Sequence, residues 1–307
     1  MSVAAVAGGA LAPGKPTWSS LLGDWSIDPL FVLTLLAGAA YVTGVRRLAA
    51  RGRQWPLHRS VCFGIGLALI VFATQSGLAS YDTVLFSLHV VQHLALGMVA
   101  PLFLVLGAPV TLALQASRRP AQERWLRALR SRPVGVVTHP VVVWVLFGGT
   151  LIVLYFTGLY ELSLRDPWVH VLVHTHFVVV GCLFMAYVVG VDPMPRSLGY
   201  GARLLFVAVV LPFHAFLGVA LLGTNTVLAE GWYAQVSRPW LSSALGDQRL
   251  GAGILWGFGE LFGLAALAIV LYQWMRHEER EAARLDRRLD EEARISLTPP
   301  GGRSLSP

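Results

Sequence analysis

The feature that most constrains this chain is a succession of apolar stretches, each long enough to cross a lipid bilayer. A helix rising 1.5 Å per residue needs about 20 mostly apolar residues to traverse a hydrocarbon core of roughly 30 Å. Seven stretches meet that need, at about residues 29–45, 61–79, 84–107, 136–159, 168–190, 203–223 and 251–275. Composition agrees, with 55% hydrophobic residues and 13% charged, where an ordinary soluble domain carries roughly 25% charged. The charge is also segregated. Ser60 to Ala116 holds a single charged residue, Asp82, whereas Arg276 to Arg294 is dense in acids and bases. In hydrocarbon every backbone group must be satisfied within its own segment, which selects helices. The sequence therefore predicts an all-α, polytopic integral membrane protein with seven transmembrane helices.

Orientation follows from arginine and lysine, which are enriched in cytoplasmic loops. Alternate sides of the seven spans receive 20 and 4 of them. The richer side holds Arg46 to Arg59, Arg118 to Arg132, Arg196, Arg203 and the C-terminal arginines. The expectation is an outside N-terminus and a cytoplasmic C-terminus. Three parts result: an extracytoplasmic arm over 1–28, a transmembrane domain over 29–275, and a charged helix with a disordered tail over 276–307. The formal charge of +7 does not point to nucleic acid, because the cations lie in short clusters between apolar runs and suit lipid headgroups. Pro101 and Pro109, with Gly107, should kink or end the third span. Cys62 and Cys182 lie in different spans and make no disulfide framework or four-cysteine zinc site. There is no glycine-rich phosphate loop, no HExxH and no nucleophile with an activating base, so an enzyme is not expected.

Ionisable side chains inside a span cost roughly 2.5–3.5 kcal/mol on insertion scales and mark functional candidates. Here they are His89 and His93 in the third span, His170, His174 and His176 in the fifth, His214 in the sixth and Glu260 in the seventh. With the orientation above, all seven fall in the outer half of the membrane. His89/His93 and His170/His174 are i, i+4 pairs, so each pair shares a helix face and can chelate one ion. His176 is rotated away from His174 and should meet another helix or lipid. Imidazole suits copper, zinc, iron and nickel, and facing histidines on two helices also allow axial ligation of haem. The predicted metal ligands are His89, His93, His170, His174 and His214, with Glu260 as a supporting group or proton carrier. The plainer alternatives are hydrogen-bonded packing histidines, an interhelical bond from Glu260 in its glycine-rich stretch, and Met98 and Met185 as core fillers.

Several stretches together resemble a known family. His89-Val-Val-Gln-His93 is followed by Met98-Val-Ala-Pro101 and Gly107-Ala-Pro109. After these come His170-Val-Leu-Val-His174-Thr-His176-Phe177 and Gly190-Val-Asp192-Pro193-Met-Pro195. Leu211-Pro212-Phe213-His214-Ala-Phe216-Leu-Gly218 and Asp247-Gln248-Arg-Leu-Gly251 through Trp256 to Glu260 complete the series. In this order they resemble the CtaG family of cytochrome c oxidase assembly factors, the caa3-oxidase type, over roughly Leu30 to Arg288. The resemblance implies a multi-pass protein of the bacterial plasma membrane that works with cytochrome c oxidase subunits. It also implies that a haem-copper oxidase needs the protein to acquire or retain its copper, and so favours copper as the ion. A copper or small-solute permease and a metal-free scaffold for oxidase subunits are the competing expectations.

Overall fold

Prolines and acidic caps set where the spans begin. In the computed structural model, which describes residues 14–23 and 25–297, the first long helix, α1 (Pro29–Ala49), starts at Pro29. The Asp28 carboxylate accepts the Phe31 N–H at 3.0 Å. Proline at the first helical position loses nothing, because that N–H has no intrahelical partner. The same device starts α5 (Pro167–Val189), where Asp166 accepts from the N–H groups of Trp168 and Val169. His170 and His174 are thereby fixed in its first two turns.

The remaining long helices are α2 (Leu57–Gln75), α4 (Pro140–Phe156) and α7 (Ala244–Leu297). Two more are composite. The third, α3, joins Phe86–Leu94, a π-helical turn Ala95–Val99 and Ala100–Leu106; α6 joins Tyr200–Ala208 and Val210–Gly223. Helix makes up 79% of the chain, and no strand occurs among the described residues, which bears out the all-α class. Among the described residues six helices are long and apolar enough to cross a membrane. The count reaches seven when α4 is taken with Leu159–Arg165, which is bent from it by 76°. The protein is thus a multi-pass membrane protein. The fourth span is not the unbroken stretch to residue 159 that hydropathy suggests. Thr157 is extended (φ −125°, ψ 179°), and its hydroxyl accepts the Leu159 N–H at 3.2 Å, which starts the bent helix.

Both irregularities in α3 and α6 trace to proline. Pro101 offers no N–H and its ring crowds the carbonyl four residues back, at Gly97. The π-helical turn over Ala95–Val99 absorbs that conflict with wider i→i+5 winding. Pro212 stands likewise four residues after Ala208, where α6 breaks. Beyond Leu106, Ala108 takes a left-handed conformation (φ 50°) and Pro109 restarts a short helix to Ala116, so the third span ends where the prolines and Gly107 predict.

The central helix is α3, packed on α2, α5 and α7, while α6 packs chiefly on α7. Glycines let these helices approach closely, as expected in lipid. A Cβ on Gly181 of α5 would overlap the Gly97 carbonyl and the Pro101 ring of α3; one on Gly218 would meet Trp256 at 2.6 Å. Gly259 has the His214 ring against it, the kind of contact the Gly257-Phe258-Gly259 stretch foreshadows. The charged helix expected after residue 276 continues α7 without a break. The start of the N-terminal arm, residues 1–13, and the tail from 298 to 307 lie outside the described residues.

Candidate metal site

Four of the predicted histidines meet at one end of the bundle, between the first turns of α3 and α5. Ring centroids are 3.9 Å apart for His89 and His93 and 4.2 Å for His170 and His174. Across the two helices, His89 and His170 are 6.0 Å apart and His93 and His174 are 5.5 Å apart. The i, i+4 spacing thus does what helix geometry requires: each helix presents a pair, and the pairs face one another. All four are buried, with exposure from 0% for His89 to 8% for His170.

A fifth group joins them that the histidine spacing did not nominate. Asp82, 2% exposed, lies just before α3 and accepts from His170 Nε2 at 3.0 Å. Donor atoms of Asp82, His170 and His174 all fall within 4.8 Å of one another, a spacing that admits a metal ion. The signal was present in the sequence, since Asp82 is the single charge between Ser60 and Ala116, and a lone intramembrane carboxylate calls for a partner. His170 Nδ1 also lies 3.1 Å from the Ser163 carbonyl. Each nitrogen of the His170 ring thus lies beside an oxygen, one of the backbone and one of the Asp82 carboxylate.

The other three rings contrast sharply. Among the described residues no hydrogen bond within normal geometry reaches either nitrogen of His89, His93 or His174, the Asp82 backbone lying near the His89 ring, and Asp82 Oδ1 is unpartnered as well. Buried imidazoles used only for packing are normally hydrogen-bonded, and each buried group left unsatisfied costs about 1–3 kcal/mol. Three imidazoles with unpartnered nitrogens, each able to offer one ligand atom, beside a carboxylate oxygen form a donor set that fits a transition-metal cation.

The cluster opens on one side and is closed on the other. A cleft of about 430 Å³, lined by Asp28, Thr74, Trp168 and others, reaches Asp82, His170 and His174. On the closed side Tyr160 packs on His89 at 4.8 Å, and its hydroxyl bonds to that of Tyr233 at 2.6 Å. Tyr233 belongs to the α6–α7 connection, which is tied down by Trp232 Nε1 donating to the Thr83 carbonyl (2.8 Å) and Arg238 donating to the Val84 carbonyl (3.0 Å). Burial raises the Tyr233 phenol above its ordinary pKa, so this closing bond is between two neutral hydroxyls.

The structure does not bring every predicted residue into this cluster. His214 lies on α6 with Nδ1 3.2 Å from the Val210 carbonyl of its own helix, and meets the cluster only through a small cavity that it shares with His93. Glu260 is half-buried with Oε1 unpartnered; among the described residues no hydrogen bond joins it to a histidine. It sits one residue past Gly259, and the glycine, not the acid, faces His214. His176 points away from the cluster and bonds through Nε2 to Thr150 of α4 at 2.7 Å.

Other polar residues in the same stretches are structural staples. Asp247 of α7 caps α3, accepting from the Phe86 N–H at 2.7 Å and the Ser87 hydroxyl at 2.5 Å. Asp192 caps the Pro109–Ala116 helix through the N–H groups of Val110 and Thr111. Buried Arg203 donates to the last carbonyls of α5, at Tyr187 and Val188, and to Gln273. Gln248 fastens the α6–α7 connection by bonding to Thr224, Thr226 and Leu228.

A family model described as cytochrome c oxidase caa3 assembly factor matches residues 39–277, which include the whole cluster. Uncharacterized proteins of Mycobacterium bovis, Mycobacterium tuberculosis and Mycobacterium leprae are each 37% identical over 286 residues. The matches cover 91% of this chain and 43% of each relative, so the chain spans less than half the length of the curated relatives it matches. No solved structure matches.

Proposed function

The chain belongs to the cytochrome c oxidase caa3 assembly factor family, and we propose that its part in oxidase assembly is to hold copper in the α3–α5 cluster and pass it to an oxidase subunit. The observation that carries this reading is the set of six unpartnered ring nitrogens on His89, His93 and His174, beside Asp82 and His170. A cation held by one nitrogen of each of these rings and by the Asp82 carboxylate would satisfy up to four of the seven atoms that the fold leaves without hydrogen bonds. Imidazole with one carboxylate suits copper, zinc, iron or nickel, and the family's oxidase context supports copper among them.

The binding end of the bundle faces the outside in this reading. Support comes from the 20-to-4 division of lysine and arginine, which sets that end opposite the arginine-rich loops. Copper reaches Asp82, His170 and His174 through the cleft. Coordination by His170 displaces the proton from Nε2, so binding releases protons. Handing the ion on requires exchange onto better-matched ligands of the partner, because selectivity among sites comes from geometry and ligand type. The role is that of a binding and delivery factor, with no bond chemistry asked of the chain.

Metal analysis of the purified protein against a His89→Ala/His93→Ala double variant tests the assignment, together with oxidase copper content in cells carrying each form. The expected result is copper in the wild type, loss in the variant and a copper-poor oxidase. Equal metal in both forms would overturn the ligand assignment. Normal oxidase assembly with histidine-to-asparagine variants would favour a metal-free scaffold, and a Soret band would favour haem.

A further inference from the structure

The small cavity between α3, α4, α5 and α6 has a chemistry of its own. Its volume is about 30 Å³, room for an ion or one to two waters, since a single water needs roughly 10–15 Å³. Its walls are largely apolar, with Phe147, Phe177 and Leu255 among them, and among the described residues no carboxylate lines it. Its polar lining is His93, His176, His214, Thr150, Tyr155 and the thioether of Met98; His176 Nε2 and the Thr150 hydroxyl are bonded to each other at 2.7 Å and Tyr155 offers a hard phenolic oxygen, which leaves His93, Met98 and His214 as the nitrogen and sulfur donors. Both His93 nitrogens are unpartnered. His214 donates its Nδ1–H to the Val210 carbonyl, which fixes the tautomer and leaves the lone pair on Nε2, the usual state of a metal-binding imidazole. Met98 is 4% exposed and offers a thioether.

The backbone of α3 explains how Met98 comes to this wall. In a regular α-helix two residues five positions apart project about 140° from each other. The π-helical turn Ala95–Val99 begins two residues after His93 and contains Met98. Its wider winding turns Met98 back toward the histidine face, the kind of re-aiming for which π-turns recur at functional sites.

We propose that His93, Met98 and His214 form a second, deeper ion site for a soft monovalent cation, of which cuprous ion is the example. The inference rests on the copper-handling reading above and deepens it. Two neutral imidazoles and a thioether select soft ions, and apolar walls with no carboxylate disfavour a divalent charge. His93 belongs to both places, 3.9 Å from His89 on one side and on the cavity wall on the other. An ion can therefore move between the outer cluster and the inner site by exchanging the remaining ligands while one imidazole keeps hold of it.

Cuprous ion titrated into the full chain in lipid nanodiscs, against a chromophoric cuprous chelator, gives stoichiometry and affinity; X-ray absorption gives the ligand atoms. The expected wild-type result is two ions per chain with a sulfur shell. Met98→Leu, a volume-conserving change that keeps the core, should lose the sulfur shell and weaken one ion at least tenfold. His214→Gln should weaken the same ion. Asp82→Asn should weaken the other and leave the sulfur shell in place. A single ion with no sulfur, or a Met98→Leu variant unchanged in number, affinity and spectrum, overturns this inference and leaves the outer site standing. No bound ion in the wild type overturns both readings.

Discussion

Replacing His93 by leucine separates a ligand from a packing residue, because the two roles predict opposite signs for stability. The ring is 4% exposed with both nitrogens unpartnered. At about 1–3 kcal/mol for each buried group left unsatisfied, the pair costs the metal-free fold about 2–6 kcal/mol. Leucine fills similar space without that cost. It gives up the ring contact with Phe177 at 4.4 Å, worth about 0.5–1.5 kcal/mol. The metal-free variant should therefore be more stable than wild type, by about 0.5 kcal/mol or more. Cuprous ion at a hundred times its dissociation constant stabilises a binding-competent protein by about 2.7 kcal/mol, and the variant loses most of that gain. Added metal should therefore cut the variant's advantage by up to about 2.7 kcal/mol, and reverse the order where the metal-free advantage is smaller than that. Unfolding in lipid nanodiscs with and without cuprous ion reads this directly. A His93→Leu variant less stable than wild type by the same margin in both conditions would show that the imidazole serves packing, and the reasoning from orphaned nitrogens would fail.

Three further outcomes follow from the geometry. Asp82→Asn removes the carboxylate whose oxygen lies within 4.8 Å of donor atoms of His170 and His174, so copper affinity measured by chelator competition should fall at least tenfold; an unchanged affinity would remove Asp82 from the ligand set. Because the ligands must shed protons to bind and both nitrogens of His170 lie beside oxygens, apparent affinity should fall as pH is lowered and rise as pH is raised; a flat profile across the imidazole range would contradict this. Gly181→Ala sets a methyl group onto the Gly97 carbonyl and the Pro101 ring, an overpacking of α3 against α5 that should cost about 1–3 kcal/mol in unfolding experiments, and a neutral result would mean the helices are looser than described.

Much of the fold was legible because the bilayer simplifies the problem: length and hydropathy located all seven helices, and Pro101, Pro109 and Gly107 marked the end of the third. What hydropathy could not supply was direction. The bend after Phe156 costs no apolar character, since Leu159, Tyr160, Leu162 and Leu164 continue the stretch; it is set by Thr157 and Gly158, two residues whose effect on a helix depends on what surrounds it. The histidine pairs were legible for a similar reason, because i, i+4 spacing fixes a shared face whatever the tertiary context. His214 and Glu260 were grouped with them on depth alone, and depth does not give azimuth. His214 faces the shared cavity and the glycine edge of α7, while Glu260 falls on the next position round that helix.

A deeper limit concerns the meaning of a buried polar residue in a membrane. Asp82, Asp192, Arg203, Asp247 and Gln248 all look alike in the sequence, as costly groups in or beside apolar spans. The structure divides them by whether their hydrogen bonds are used up. Asp192, Arg203, Asp247 and Gln248 bond to helix ends and loop backbone, so their cost is offset locally and a ligand would have to break those bonds. Asp82 keeps Oδ1 free, and three of the four clustered histidines keep both ring nitrogens free. Surplus donor capacity held rigidly in a dry helical core is preorganisation for a cation, because the ligands are already desolvated and positioned before the ion arrives. Residue type does not distinguish a staple from a ligand in this protein; unspent hydrogen-bonding capacity does, and that quantity exists only once the helices have been brought together.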